Sequence, residues 1–182
     1  MRFSILILLS ALSLFSPVTS LANQSAFNHS EKNYRFNLTI KSSLSVEKLL
    51  ELLYDFKHVN AYSSDASKQK MLRDSANYYE IEISIKYLIY SSRSIYKRTL
   101  VPESGLVKIE MRSFNQSNKL FPRIIDYQAR YDVKSEMEYS TIEYVQMVSF
   151  DKSVNWFYMK ILKDKLNEFA EKLEFYIRNE EK

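Results

Sequence analysis

Tyrosine and arginine side chains are the groups of this sequence that could do chemistry. The chain contains 14 tyrosines, two histidines and no cysteine. Several tyrosines fall at alternate positions of apolar patterns and are predicted to point inward, namely Tyr87, Tyr127, Tyr131 and Tyr144. A buried tyrosine hydroxyl needs a hydrogen-bond partner, and a ligand can be that partner. Arg93 and Arg98 could offer a positive charge to a ligand headgroup, although surface positions are favoured for both.

The same inventory excludes many kinds of site. Gly105 is the only glycine, so the sequence has no Rossmann fingerprint, P-loop or G-x-S-x-G elbow. The lack of cysteine excludes thiol catalysis, disulfides, iron–sulfur ligation and a lipid-modified N-terminal cysteine. His29 and His58 alone cannot make a zinc site, and His58 has no histidine or cysteine near it in sequence. We therefore predict no catalytic residue, no metal site and no cofactor.

Charge and length narrow the class of protein further. The 182 residues are enough for one domain with a core, and the net charge is +4. Because the charged residues are interspersed, they indicate a solvated surface, and we predict no nucleic-acid partner.

The first residues resemble an export signal. Arg2 precedes an apolar run over residues 3–15, Pro17 ends this run, and small residues lead up to Ala22. A permanent membrane anchor is the alternative, but the run is shorter than the roughly 20 residues of a spanning helix. We predict a signal peptide over residues 1–22, cleavage after Ala22, and a periplasmic or secreted protein without a lipid anchor. Residues 23–33 are polar and predict a flexible tail.

The elements that would position the tyrosines follow from periodicity. A half-buried strand is predicted over residues 34–41, and Ser45 is a plausible N-cap for a helix that reaches about Phe56. A short helical turn over residues 57–62 completes a helix pair. The period then changes to two, and about six strands follow, with Gly105 at a turn that requires a positive φ.

A long helix over residues 154–178 closes the chain. Its apolar residues recur at steps of three and four and include Phe157, Ile161, Leu166 and Leu173. Phe157 and Ile161 are predicted on its first inner turns. A stripe of this length needs an apolar surface to cover, and the preceding strands supply one. The predicted fold is therefore α+β, with the helix across a curved antiparallel sheet of about six to seven strands.

This order of elements resembles the helix-grip fold of the START-like and polyketide-cyclase-like superfamily, including its coenzyme Q-binding members. The resemblance rests on residues 45–56 and 59–62 as the first helices, on residues 78–87 and 91–101 as the central hairpin, and on residues 154–178 as the closing helix. It covers residues 34–178, which we predict to be one domain. It implies a cavity between sheet and closing helix that takes lipids, sterols, quinones or polyketides.

The inward positions and the cavity together define candidate ligand-contacting residues. These are Ile83, Ile85, Tyr87, Ile109, Met111, Tyr127, Tyr131, Tyr144, Phe157 and Ile161, with Arg93 and Arg98 as polar candidates. The scarcity of glycine and the abundance of tyrosine depart from the family pattern and predict a smaller or more polar cavity.

Three functions are compatible with the sequence. The favoured hypothesis is an exported, non-catalytic binding protein for a lipid, quinone or other apolar small molecule, with transient membrane contact. The second is a cyclase- or hydrolase-type enzyme, which is disfavoured because the inward positions hold no histidine or carboxylate. The third is an interaction domain with a filled core. The sequence does not choose between the first and the third.

Overall fold

The computed structural model describes residues 24–63, 68–87 and 90–182. The predicted signal peptide lies outside these residues, and the side chain of Tyr87 is likewise not described. The elements are β1 (Gln24–His29), β2 (Asn33–Ser42), α1 (Val46–Tyr54), α2 (Phe56–Tyr62), β3 (Lys68–Ser75), β4 (Tyr78–Tyr87), β5 (Tyr90–Val101), a 3₁₀ turn (Pro102–Ser104), β6 (Leu106–Gln116), β7 (Ile124–Ser135), β8 (Ser140–Phe150) and α3 (Trp156–Glu180).

The strands form one antiparallel sheet in the order β1-β2-β8-β7-β6-β5-β4-β3. This arrangement, with the two short helices after β2 and the long α3, confirms the predicted α+β helix-grip architecture. Strands β3 to β8 follow one another as a meander, as expected from the short turns. The first predicted strand, β2, pairs with the last one, β8, from Asn33 opposite Ser149 to Ser42 opposite Ser140.

The sheet has eight strands because the segment expected to be a tail forms β1. Residues Gln24 to His29 pair with β2 along their whole length. Most of these side chains are exposed, and only Phe27 packs against the core. Sequence alternation did not indicate this strand because backbone hydrogen bonds, rather than a buried face, hold it in place.

Local signals explain where the short elements begin and end. The Ser45 hydroxyl accepts a hydrogen bond from the backbone nitrogen of Lys48 at 3.2 Å, so the predicted N-cap of α1 is confirmed. The Asp55 carboxylate caps α2 in the same way. Gly105 has the expected positive φ of 63°, and a Cβ there would lie 2.3 Å from the Val133 carbonyl oxygen. Any larger residue would therefore be strained and would also clash.

Helix α3 begins two residues later than predicted, after Asn155, whose side chain accepts from the Tyr158 backbone nitrogen at 2.8 Å. Its nearest neighbours are β1, β2 and α2, whereas α1 lies nearest to β5, β6 and β7. The buried residues of α3 recur at helical spacing and are Met159, Leu166, Ala170, Leu173 and Ile177. In the described part of the chain, no helix combines the length and the apolar character needed to cross a membrane.

Candidate functional site

The concave face of the sheet, which faces the helices, has two differently packed halves. Near the β2–α1 connection its inward residues are buried, and we call this the closed half: Phe36, Leu38, Ile40, Val107, Ile109, Tyr131, Val133, Ile142 and Tyr144. At the opposite end of the sheet, the large inward side chains of β4 to β7 are only half-buried, and we call this the open half: Ile83, Tyr96, Met111, Phe114 and Tyr127.

Aromatic rings fill the space between the closed half and the C-terminal part of α3. The ring centroids of Tyr131 and Tyr144 are 4.6 Å apart, and Phe169 of α3 lies 5.3 Å from Tyr144. Tyr62 of α2 contacts Tyr176 of α3 at 5.7 Å. The tyrosine side chains therefore pack as core here, and they fill the space between the closed half and α3.

Arg98 lies buried in the closed half beneath α1 and α2. Its guanidinium donates to the Leu53 carbonyl at the end of α1 and to the Tyr62 hydroxyl, and it lies 5.4 Å from the Tyr131 ring centroid. Its Nε has no hydrogen-bond partner among the described residues. Burial raises the pKa of Tyr62, Tyr79 and Tyr131, and Arg98 partly offsets this rise. These hydroxyls stay protonated at neutral pH around a fixed cation.

A second polar cluster centres on Gln146 of β8, between the halves. Its amide nitrogen donates to the Tyr34 hydroxyl, and its Oε1 accepts from Tyr144 at 2.5 Å and from Tyr127 at 3.3 Å. Burial raises the pKa of all three tyrosines. The cluster is a chain of neutral hydrogen-bonding groups, and Tyr127 at its edge reaches the open half.

Backbone irregularities shape the open half. The β6–β7 ladder pairs Leu106 to Glu110 with Asp132 to Gln128 and ends there, so the two strands separate towards the start of α3. Bulges interrupt the β5–β6 ladder between Ile95 and Tyr96 and the β7–β8 ladder between Ile124 and Asp126. Bulges bend and twist a strand, which re-aims its side chains. The result is a concave surface with aromatic and apolar residues that no other element fully covers.

Two open concavities of about 410 Å³ each are present at the surface. The first lies over β1, β2, β7 and β8 and is lined by polar residues that include Asn28, Arg35 and Asp126. The second lies where β4, β5 and β6 end, beside Ile85, Ser92 and Gln116. Neither of them lies in the space between the sheet and α3, where a cavity was expected.

The predicted site residues fall into three groups. Ile109, Tyr131, Tyr144 and Arg98 lie together in the closed half. Ile83, Met111 and Tyr127 lie in the open half, and Ile85 is more exposed beyond them. The third group, Arg93, Phe157 and Ile161, lies apart from both halves.

Two expectations about individual placements were wrong. Arg98, expected at the surface, is buried, because the end of α1 supplies a carbonyl acceptor above it. Phe157 and Ile161, expected on inner turns of α3, are exposed, because the buried spacing starts from Met159 and leaves these two on the opposite side of the helix. Arg93 is exposed, as favoured, and pairs with Glu82.

Sequence reasoning missed several polar residues of the concave face. Tyr79 and Tyr96 lie at inward positions of strands, and Tyr34 begins the alternation of β2, so their spacing could have indicated them. Gln146 also lies at an inward position, between Tyr144 and Val148, where a polar residue breaks an apolar alternation. Tyr62 gave no such signal, because the short α2 has too few residues to show a period.

Comparison with known proteins adds evidence on the fold. No protein-family model and no curated protein matches the sequence. Among solved structures, the chain is similar to a START superfamily protein from Mycobacterium smegmatis, with 12% identity, a TM-score of 0.59, and coverage of 80% of this chain and 97% of that chain. It is also similar to a STAR-related lipid transfer protein from Xanthomonas axonopodis, with 10% identity, a TM-score of 0.60, and coverage of 85% and 98%.

A third similar structure is the Zhui aromatase/cyclase from Streptomyces sp. R1128, with 9% identity, a TM-score of 0.58, and coverage of 82% of this chain and 93% of that chain. At such low identity the likeness concerns the backbone arrangement. The matches span nearly the whole length of each solved structure. The chain therefore has the START-like helix-grip fold.

Proposed function

We propose that this protein is an exported, non-catalytic binding protein for a lipid, quinone or other apolar small molecule. The ligand lies in the open half of the concave face, on the part of β4 to β7 nearest the β6–β7 loop. The observation that carries the proposal is the set of inward aromatic and apolar side chains that remain half-buried there. The fold supports it, because two of the similar structures are described as a lipid transfer protein and an aromatase/cyclase.

The chemistry of the open half fits an apolar ligand with one polar group. Tyr96 and Tyr127 contact each other with ring centroids 5.0 Å apart, and Met111 lies opposite Tyr96 in the sheet. Covering such surface contributes roughly 25 cal/mol per Å² before the entropic costs of binding. The Tyr127 hydroxyl donates to Gln146 at 3.3 Å, so the polar cluster around Gln146 borders the open half, and a polar group of the ligand would lie beside it.

The titratable groups of the concave face support binding without catalysis. The buried polar and charged residues of the described chain, other than tyrosine, are Arg98, Gln146, serines and a threonine. An arginine remains protonated and cannot act as a base. Because burial raises the pKa of the buried tyrosines, they also remain protonated at neutral pH. General acid–base catalysis needs a group that exchanges its proton near the working pH.

A paired substitution tests this site. Met111→Trp should fill the open half and abolish displacement of a fluorescent fatty acid or a naphthoquinone that the parent binds. Arg112→Trp is the matched control, since Arg112 is the next residue but is exposed and pairs with Glu110 on the other face. Equal ligand binding by Met111→Trp and the parent would contradict the proposed location.

An interaction domain with a filled core is the second candidate. The aromatic packing of the closed half favours it, because that half has no space for a ligand. Organic extraction of the purified protein followed by mass spectrometry separates the two functions. The binding protein should yield a lipid or quinone, or should bind one when it is added. A protein that does neither would be an interaction domain.

Export has its own test. We propose that cleavage occurs after Ala22, on the basis of the apolar run and the small residues that precede the cleavage point. Mass spectrometry of the protein recovered outside the cytoplasm should find a chain that begins at Asn23. A membrane-bound product that retains Met1 would contradict export by cleavage.

A further inference from the structure

Three chain segments meet at one end of the molecule, and we call them together the tip: residues 117–123 between β6 and β7, residues 151–155 between β8 and α3, and residues 156–163 of α3. Hydrogen bonds join the first two segments. The backbone nitrogen of Asp151 donates to the Arg123 carbonyl at 3.0 Å, and the ammonium group of Lys152 donates to the Lys119 and Leu120 carbonyls at 2.8 and 2.7 Å. These bonds hold the β6–β7 loop beside the start of α3.

The tip exposes large apolar side chains. Leu120 is 84% exposed, Trp156 75%, Phe157 58% and Ile161 43%. The Trp156 and Phe157 rings lie 6.0 Å apart in an edge-to-face contact. No described element covers these side chains. An exposed group of this kind, with the only tryptophan of the chain in it, is typical of a contact surface.

The tip also has an excess of positive charge that is as large as the net charge of the full sequence, +4. It has five cations, Lys119, Arg123, Lys152, Lys160 and Lys163, and one carboxylate, Asp151, and the Glu31 carboxylate of the β1–β2 turn accepts from the Ser153 hydroxyl beside it at 3.3 Å. The full chain has 26 Lys and Arg and 22 Asp and Glu, so 21 of each sign remain elsewhere. Lys160 lies one helical turn beyond both Trp156 and Phe157. No ion pair involving Lys119, Lys160 or Lys163 occurs among the residues that the structure describes.

We propose that the tip docks on the surface of a bilayer that contains anionic phospholipids. Tryptophan and other aromatic side chains favour the headgroup region, where an apolar ring and a polar edge are both accommodated. Lysine and arginine next to them attract anionic headgroups. This combination of exposed aromatic residues with an excess of positive charge fits such a membrane better than it fits a neutral protein surface.

Docking at the tip extends the proposed function and rests on it, because the reason for docking is the exchange of a bound apolar ligand with the membrane. A carrier of an apolar molecule must exchange its ligand where that molecule is soluble, and residues 117–123 of the tip join β6 to β7, two strands of the open half. Docking and ligand binding use different residues, so they are tested separately. Met111→Trp should abolish ligand binding and leave sedimentation with anionic vesicles, which does not depend on tryptophan emission, unchanged.

The fluorescence of Trp156 tests docking directly, because this tryptophan is the only one in the chain. With vesicles of phosphatidylcholine and phosphatidylglycerol, its emission should shift to shorter wavelength and the protein should sediment with the vesicles. With phosphatidylcholine alone, both effects should be much weaker. An equal response to both vesicles, or a response to neither, would overturn the proposal.

Matched variants separate docking from loss of folding. Lys119→Glu with Lys160→Glu should reduce partitioning onto anionic vesicles by about tenfold or more, since each basic residue near a membrane contributes about 1 kcal/mol. Lys108→Glu with Arg130→Glu reverses the same charge at two exposed, paired positions on the convex face and should have little effect. Equal losses in the two double variants would contradict a docking site at the tip.

Apolar variants test the other part of the surface. Phe157→Ala should weaken partitioning several-fold, whereas Phe175→Ala, which removes an even more exposed ring near the other end of α3, should not. Thermal unfolding should be nearly unchanged in both, because neither ring is buried. If the Trp156 emission shifts with protein concentration in the absence of lipid, the surface joins two copies of the chain, and the membrane proposal is overturned.

Discussion

The two halves of the concave face are built from the same strands, yet they differ in how completely they are covered. In the closed half, Phe36, Val107 and Ile142 are fully buried beneath α1, α2 and the end of α3. In the open half, residues of the same types on β4 to β7 remain half-buried. Coverage by helices therefore separates a stabilising core from a surface available for binding.

The backbone accounts for part of this difference. Arg98 holds the end of α1 against the closed half through the Leu53 carbonyl. In the open half, the β6–β7 ladder ends at Glu110 and bulges bend the neighbouring strands. Continuous ladders produce a regular surface on which helices pack closely, whereas bulges produce curvature that a straight helix cannot follow. Each of the following predictions compares one half, or one end of α3, with the other.

The largest difference should come from two phenylalanines. Phe36→Ala removes a fully buried ring from the closed half and should lower the free energy of unfolding by about 3–5 kcal/mol. Phe114→Ala removes a half-buried ring from the open half and should cost about 1 kcal/mol, since less apolar surface is lost. Urea unfolding measures both. Equal costs would show that the open half is packed as core.

The two arginines give the next comparison. Arg98→Leu removes the charged donor to the Leu53 carbonyl and the Tyr62 hydroxyl, leaves only the 3.4 Å bond from that hydroxyl to that carbonyl, and should cost about 1–3 kcal/mol. Arg93→Leu removes an exposed side chain that pairs with Glu82 and should change stability by less than about 1 kcal/mol. Chemical denaturation at neutral pH measures this difference. A cost for Arg93→Leu as large as for Arg98→Leu would place Arg93 in the core.

A pH dependence should come from the closed half. Burial raises the pKa of Tyr79 to about 12 from its ordinary value of 10.0. The unfolded chain therefore releases this proton first, and stability should fall as the pH rises from about 10 to about 12, by at most about 1.4 kcal/mol per pH unit for this group. Tyr79→Phe should flatten this fall. Identical alkaline unfolding profiles for the parent and the variant would contradict the burial of the hydroxyl.

The smallest effect is expected on the outer side of α3. Ile161→Ala should change the free energy of unfolding by less than about 0.5 kcal/mol, because the side chain is exposed. Leu166→Ala, on the buried side of the same helix, should cost about 2–5 kcal/mol and is the matched comparison. A large cost for Ile161→Ala would indicate that its side chain has partners in the folded protein.

The sequence predicted the architecture because periodicity reports burial. The alternation in β2, β4, β6, β7 and β8 and the caps of α1 arise from neighbouring residues, which a single sequence displays. It did not predict β1, whose side chains are mostly exposed, or the burial of Arg98, which depends on a carbonyl 45 positions away. The bulge near Ile124 also shifts the inward position there, so Ile125 is exposed instead. Whether the open half can bind a ligand depends on how far the helices cover its inward side chains. The periodicity of the sequence contains no information about this coverage.

The pairing of β2 with β8 has a consequence for the order of folding. Tyr34 and Gln146, which are hydrogen-bonded across these two strands, are 112 positions apart in the chain. During synthesis β2 is made early, and its partner becomes available only after nearly all other strands have been made. Closing so long a loop costs chain entropy before the contacts form, which slows folding. The sheet therefore cannot be completed before β8 has been made, and until then the edge of β2 that pairs with β8 is open to aggregation.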